Sequence, residues 1–202
     1  GADVISRIQY VLKEGSETMA GCIRKAMKDL AKEVAQSAGV ELPEITATAI
    51  VGNTAMHHLL LGIDPKPLVT PPYMPALFEA QERGIARILP NIAGFVGGDT
   101  VGCMVSSRFD KLEELSLLID IGTNGEMVVG DGRELLCTSV AAGPAFEGGG
   151  LQWGVGSVSG AISGFELNKN MGKIQTIHEK TPIGICGTGM VEILSELKDA
   201  RI

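Results

Sequence analysis

The stretch L-I-D-I-G-T-N-G-E, residues 118–126, decides how this sequence is read. It starts as an apolar run, sets the carboxyl group of Asp120 inside that run, and then passes through Gly122, Thr123, Asn124 and Gly125 to Glu126. Two readings compete. In the first, a half-exposed strand turns Asp120 toward water, and Asn124-Gly125 is a type I′ hairpin turn, a common device. In the second, a strand carboxylate beside a tight turn holds a hydrated magnesium ion. Gly122 then lets a phosphate approach the backbone, and Thr123 offers a hydroxyl and an N–H. The motif is short, so residues 118–126 by themselves favour the first reading.

Working outward, the neighbouring residues form a run of short strands, 116–122, 126–130 and 133–142, with Asn124-Gly125 and Asp131-Gly132 as the predicted two-residue turns. Upstream, N-I-A-G-F-V-G-G-D-T-V (91–101) predicts a bend at Gly97-Gly98 and a helix capped by Asp99 or Thr100. Such a helix start aims amides at an anion and sets Asp99 to orient a water, although a glycine bend before a plain helix cap gives the same pattern. Downstream, A-A-G-P-A-F-E-G-G-G (141–150) bares the backbone at Gly143 and Pro144 and then offers Glu147. A ligand cleft and a surface loop are equally good explanations of it. C-G-T-G-M (186–190) places Gly187, Thr188 and Gly189 at a helix start where phosphate or adenine would rest, on weak evidence.

The remaining pattern is mixed α/β. Ile5, Ile8, Val11 and Leu12 predict a first helix capped by Asp3 and ended by Gly15. A second runs from Ser16 to about Ala38, with Met19, Ile23, Met27, Leu30 and Val34 on its inner face and Gly39 as its stop. A strand at 45–52 leads through Asn53 into a short helix containing His57 and His58, of which at most one is expected to face the core. Residues 64–90 hold six of the nine prolines and read as an irregular connection. A hairpin about Asn170-Met171-Gly172 and a last helix complete the chain.

With 202 residues, 45% of them hydrophobic, there is enough material for one large domain or two small ones. A net charge of -7 with scattered Lys and Arg argues against a nucleic-acid surface. Cysteines 22, 103, 137 and 186 are far apart and lack histidines at ligand spacing, so no zinc or iron–sulfur cradle is expected within this sequence. No apolar run approaches the roughly 18 residues of a membrane span. A cytoplasmic chain with reduced thiols is the expectation.

Taken in order, LLIDIGTNGEMVVG, SVAAGPAFEG, NIAGFVGGDTV, PIGICGTGM, GADVISRI and IVGNTAMHHLLLGIDP resemble the C-terminal ATPase region of the reductive activators of corrinoid proteins, the RACo and RamA type. The resemblance runs along essentially the whole chain. It implies the superfamily of actin, heat-shock chaperone ATPases and sugar kinases, in which ribonuclease-H-like lobes close on ATP. Residues 1–110 would then be the remainder of lobe one with a connecting region, and 111–202 the start of lobe two. It further implies that ATP drives one-electron reduction of a partner corrinoid protein to cobalt(I), with electrons from a two-iron ferredoxin domain that this sequence does not contain.

By the same resemblance DIGTNGE is the second phosphate hairpin. Asp120 lies on the magnesium side, with Gly122, Thr123, Asn124, Gly125 and Glu126 about the phosphates. Asp99, preceded by Gly97 and Gly98, takes the place of the acid that orients the attacking water. Gly143, Pro144 and Glu147 face the nucleotide, and Gly187, Thr188 and Gly189 are further contacts. The superfamily's first phosphate hairpin and its adenosine glycine pair are not in this sequence. The expectation is therefore a central portion of a longer protein that binds ATP weakly by itself, with a homodimer left open. Two other readings stand: a small-molecule kinase with Asp99 as base toward a hydroxyl, and a non-catalytic partner-docking module.

Overall fold

In the computed structural model, residues 4–143, 148–168 and 171–202 are described. The chain is mixed α/β and divides into two compact units, Gly1–Leu118 with Met127–Thr138, and Ile119–Glu126 with Ser139–Ile202.

The first unit opens with α1 (Val4–Glu14) and α2 (Ser16–Ala38). Asp3, the expected cap of α1, lies outside the described residues. Gly39 ends α2 in the left-handed region at φ 69°, and the Gly39 and Val40 amides close on the Gln36 and Ala35 carbonyls. These boundaries match the periodicity, and the predicted inner face of α2 holds in its first half, where Met19, Ile23 and Met27 are half-buried, but not at Leu30 and Val34. Ala20 and Ala35 are buried, whereas Leu30 and Val34 are 59% and 64% exposed. Helices that approach closely do so over small side chains, and α2 packs on both α1 and the next helix.

That helix is α3 (Thr54–Leu61), capped by Asn53, whose side chain accepts the Met56 N–H at 2.9 Å. Strands β1 (Thr48–Ile50), β2 (Gln81–Arg83) and β3 (Ala86–Ile88) form a sheet in the order β1-β3-β2, parallel between β1 and β3 and antiparallel between β2 and β3. The stretch 64–90 is thus not wholly irregular. Its prolines leave residues 76–89 free, and a hairpin about Gly84, at φ 60°, forms there. Next comes α4 (Gly98–Ser107). Its N-cap is Gly97 rather than Asp99 or Thr100, and no side chain caps it. Asp99 sits inside the first turn.

Strands β4 (Ser116–Ile121), β5 (Asn124–Gly130) and β6 (Leu135–Ala141) form a second sheet with β5 in the middle. The expected turn residues are displaced: β5 already begins at Asn124, so the chain reverses at Gly122-Thr123. Neither Asn124 nor Gly125 has the positive φ of a type I′ turn. The Asp131-Gly132 reversal is also longer than two residues. Asp131 Oδ1 accepts the N–H groups of Arg133 at 3.0 Å and Glu134 at 3.3 Å, making an Asx turn.

In the second unit β7 (Ala161–Asn168) lies between β8 (Met171–Thr176), antiparallel to it, and β9 (Gly184–Ile185), parallel to it. Met171 and Gly172, expected in the turn, belong to β8 and pair with Asn168 and Leu167, while Asn170 lies outside the described residues. Helix α5 (Gly187–Asp199) packs along β7, and Glu196 Oε2 accepts the Leu167 N–H at 2.8 Å. Gly189 is where helix and strand come closest: a Cβ there would collide with the Ile162 carbonyl oxygen. Replacing Gly189 with alanine is expected to cost about 2 kcal/mol, read from the urea midpoint.

Candidate nucleotide site

The opening motif belongs to the second unit from Ile119 onward. Successive strand residues point to opposite faces. On β4, Leu117, Ile119 and Ile121 are 58%, 53% and 68% exposed, while Leu118 and Asp120 share the other, half-buried face. Asp120 is therefore not the polar side of an ordinary amphipathic strand, since it occupies the more covered side and the apolar residues the more exposed one.

Gly122 has a second unusual property. A Cβ there would meet nothing nearer than the Asn124 carbonyl at 3.4 Å, and its φ is not in the left-handed region. Among the described residues neither packing nor backbone conformation calls for glycine, and a glycine at such a turn admits the close approach of an outside group. The Gly122 N–H is itself spent on the Asn124 carbonyl at 3.0 Å. The Thr123 carbonyl accepts the N–H groups of Ala142 at 3.2 Å and Gly143 at 2.8 Å, so the turn and the start of the AAGPAFEG segment are held together. Gly143, at φ 90°, is in a conformation that favours glycine. Thr123 and Asn124 are exposed. Glu126 Oε1 accepts the Ser139 hydroxyl at 2.9 Å, a cross-strand link that sequence reading did not foresee. Pro144 and Glu147 lie outside the described residues.

At the start of α5, Gly187 and Gly189 are buried and Thr188 is exposed. The Cys186 thiol, fully buried, donates to the Ile162 carbonyl at 3.2 Å. Gly189 is accounted for by its contact with β7, which is a packing reason for the CGTGM glycine.

Asp99 belongs to the first unit. Its backbone N–H donates to the Gly52 carbonyl at 3.1 Å, and its Oδ1 accepts the Thr100 N–H at 2.8 Å, so one carboxylate oxygen is braced by its own helix. Gly97 and Gly98 have intrachain reasons to be glycine. A Cβ at 97 would lie 2.5 Å from the Thr54 nitrogen, and one at 98 would lie 2.5 Å from Cε1 of His57. The Thr54 hydroxyl donates to the Ala93 carbonyl at 2.7 Å, locking the start of α3 to the segment before α4.

Both histidines of α3 are buried, at 1% and 0% exposure, which corrects the expectation that at most one faces inward. Packing on two sides of this short helix covers both ring directions. The His58 Nδ1–H donates to the Thr54 carbonyl at 2.7 Å, and its Nε2 accepts the Ala76 N–H at 3.0 Å. Burial depresses the proton affinity of both rings, partly opposed at His57 by Asn91 and the Asp99 charge and at His58 by the Thr54 carbonyl and Asp64. A histidine held neutral in the fold binds fewer protons than in the unfolded chain below the ordinary value of about 6.5. Their contribution to stability is thus complete above pH 6.5 and is lost as pH falls below it, by at most about 1.4 kcal/mol per pH unit for each ring. Thermal melts between about pH 5 and 8 should show this fall.

Among the described residues no three His, Cys, Asp or Glu side chains gather at metal-binding distance. Magnesium needs no such group when phosphates and waters complete its shell, and a half-buried carboxylate beside an open glycine turn fits that mode. The four cysteines, from exposed Cys22 to buried Cys186, do not fit an iron–sulfur cluster. No helix among the described residues is long and apolar enough to cross a membrane.

Residues 114–202 match the family described as the C-terminal domain of RACo, the ASKHA domain, and so this part of the chain is an actin-like ATPase fold. Residues 1–112 match the RACo middle region. The corrinoid activation enzyme RamQ of Eubacterium limosum is 34% identical over 98% of this chain and 35% of its own length. The [Co(II) methylated amine-specific corrinoid protein] reductase of Methanosarcina barkeri is 31% identical over 50% of this chain and 23% of its own length. A solved structure, a reductive activator for a corrinoid, iron–sulfur protein, superposes with a TM-score of 0.81 at 36% identity, covering 99% of this chain and 34% of that one. The chain belongs to the family of reductive activators of corrinoid proteins. It spans about a third of the relatives that it matches along its whole length.

Proposed function

We propose that this chain is the ATP-responsive part of a protein that returns a partner corrinoid protein to its cobalt(I) state, using electrons from an iron–sulfur domain outside this sequence. The observation that carries the nucleotide reading is the Gly122-Thr123 turn, where Gly122 has no packing reason to be glycine among the described residues, Thr123 is tied to Gly143 through its carbonyl, and Asp120 stands half-buried on the strand before it. Asp120 holds magnesium through water, and Thr123, Asn124 and the glycines of the turn surround the phosphates. The ion supplies charge neutralisation of the phosphate oxygens when bound. Asp99, braced through one oxygen, uses the other to orient the attacking water. Residues 1–110 serve as the remainder of lobe one and 111–202 as the start of lobe two. ATP can shift such lobes only through contacts that differ between open and closed arrangements.

Calorimetric titration of Mg-ATP into the chain tests the site. Binding that weakens when magnesium is removed supports it. Absence of binding both here and in a longer chain containing the flanking sequence overturns it. Release of inorganic phosphate, rather than transfer to an added hydroxyl compound, separates an activator from a small-molecule kinase of the same fold.

A further inference from the structure

Buried polar atoms in proteins are almost always hydrogen-bonded. Among the described residues, four buried side-chain atoms fall outside hydrogen-bond geometry: both ring nitrogens of His57, Asn91 Oδ1 and Thr100 Oγ1, with the Asn91 side chain still near enough to the His57 ring to favour its protonation. All three residues lie on the segments around Asp99. The His57 ring is set between two glycines, with Cδ2 3.5 Å from a Cβ built at Gly52 and Cε1 2.5 Å from one built at Gly98. Gly52 also accepts the Asp99 N–H through its carbonyl. The ring therefore fills the space between the backbone that holds Asp99 and the first turn of α4.

We propose that His57 is a positioning residue for Asp99, its buried imidazole fixing the first turn of α4 and thereby the direction of the Asp99 carboxylate. The contrast with His58 supports this. His58 spends both nitrogens on carbonyl and amide partners of its own helix and the proline-rich stretch, whereas the polar side chain that faces the His57 ring is Asn91, on the segment that leads into α4. The groups that face the ring are Asp99 from α4, Asn91 from the segment before it and His58 from its own helix. Burial lowers the ring's affinity for a proton, and Asn91 and the Asp99 charge oppose this in part.

This inference rests on the reading of Asp99 as the water-orienting acid, and the test separates the two. Hydrogen exchange of the Thr100 amide reports the bond to Asp99 Oδ1 without any nucleotide. In His57→Leu it is expected to speed up at least tenfold, with the Met56 amide at the α3 cap unchanged, and His57→Gln is expected to restore part of the protection. If leucine prevents folding, His57→Asn carries the same comparison. In Mg-ATP turnover, His57→Leu should lower kcat at least tenfold with KM within twofold. Unchanged Thr100 exchange in every variant overturns the role of His57. Full turnover in Asp99→Asn overturns the role of Asp99 and leaves the exchange result to decide His57.

Discussion

Replacing Asp120 with asparagine should remove the magnesium dependence of ATP binding while leaving whatever affinity ATP has without the metal. A neutral amide presents an oxygen of the same size but no charge to a divalent ion, and hard cations are selected by carboxylate charge. The expected loss is at least tenfold in the presence of magnesium, about 1.4 kcal/mol. Because β4 turns Asp120 to its half-buried face, the exchange should not unfold the protein, and circular dichroism of the variant serves as the control. Equal affinity of both proteins for Mg-ATP would remove Asp120 from the site. A Gly122→Val variant sharpens the point. Among the described residues a Cβ there meets only the Asn124 carbonyl oxygen at ordinary contact distance, so lost ATP binding with unchanged stability would show that the side chain excludes the nucleotide.

Replacing Gly97 with alanine is expected to destabilise the first unit by about 3 kcal/mol. The added methyl would stand 2.5 Å from the Thr54 nitrogen, 2.7 Å from the Asn53 Cα and 2.8 Å from the Asn53 carbonyl carbon. All three are backbone atoms, which cannot rotate aside as a side chain would. Gly21 is the natural comparison, because it lies within α2, is exposed, and has nothing within 4 Å of its position for a Cβ. Alanine there should stabilise by roughly 0.5–1 kcal/mol, since glycine is a poor helix residue. Urea titration of both variants checks the pair of signs. A Gly97→Ala loss below about 0.5 kcal/mol would mean that the α3 and α4 starts are less tightly joined than the geometry states.

The sequence alone determined the elements whose cause is local. Helix α2 begins at Ser16 and stops at Gly39 because left-handed φ is cheap only for residues such as glycine, and α3 starts at Asn53 because a short polar side chain satisfies an amide there. The order of motifs from NIAGFVGGDTV to PIGICGTGM was enough to identify the family, although each motif alone has an ordinary structural explanation. Tertiary structure decided what depends on neighbours distant in the chain. Leu30 and Val34 have core spacing, yet they are exposed while α2 buries Ala20 and Ala35, because which side of a helix is covered depends on the elements packed against it. The turn predicted at Asn124-Gly125 lies instead at Gly122-Thr123, where the Thr123 carbonyl finds the amides of Ala142 and Gly143. No spacing rule marks His57 as different from His58. Only the folded chain, by setting one ring against Gly98 and giving the other two hydrogen-bond partners, makes them distinct.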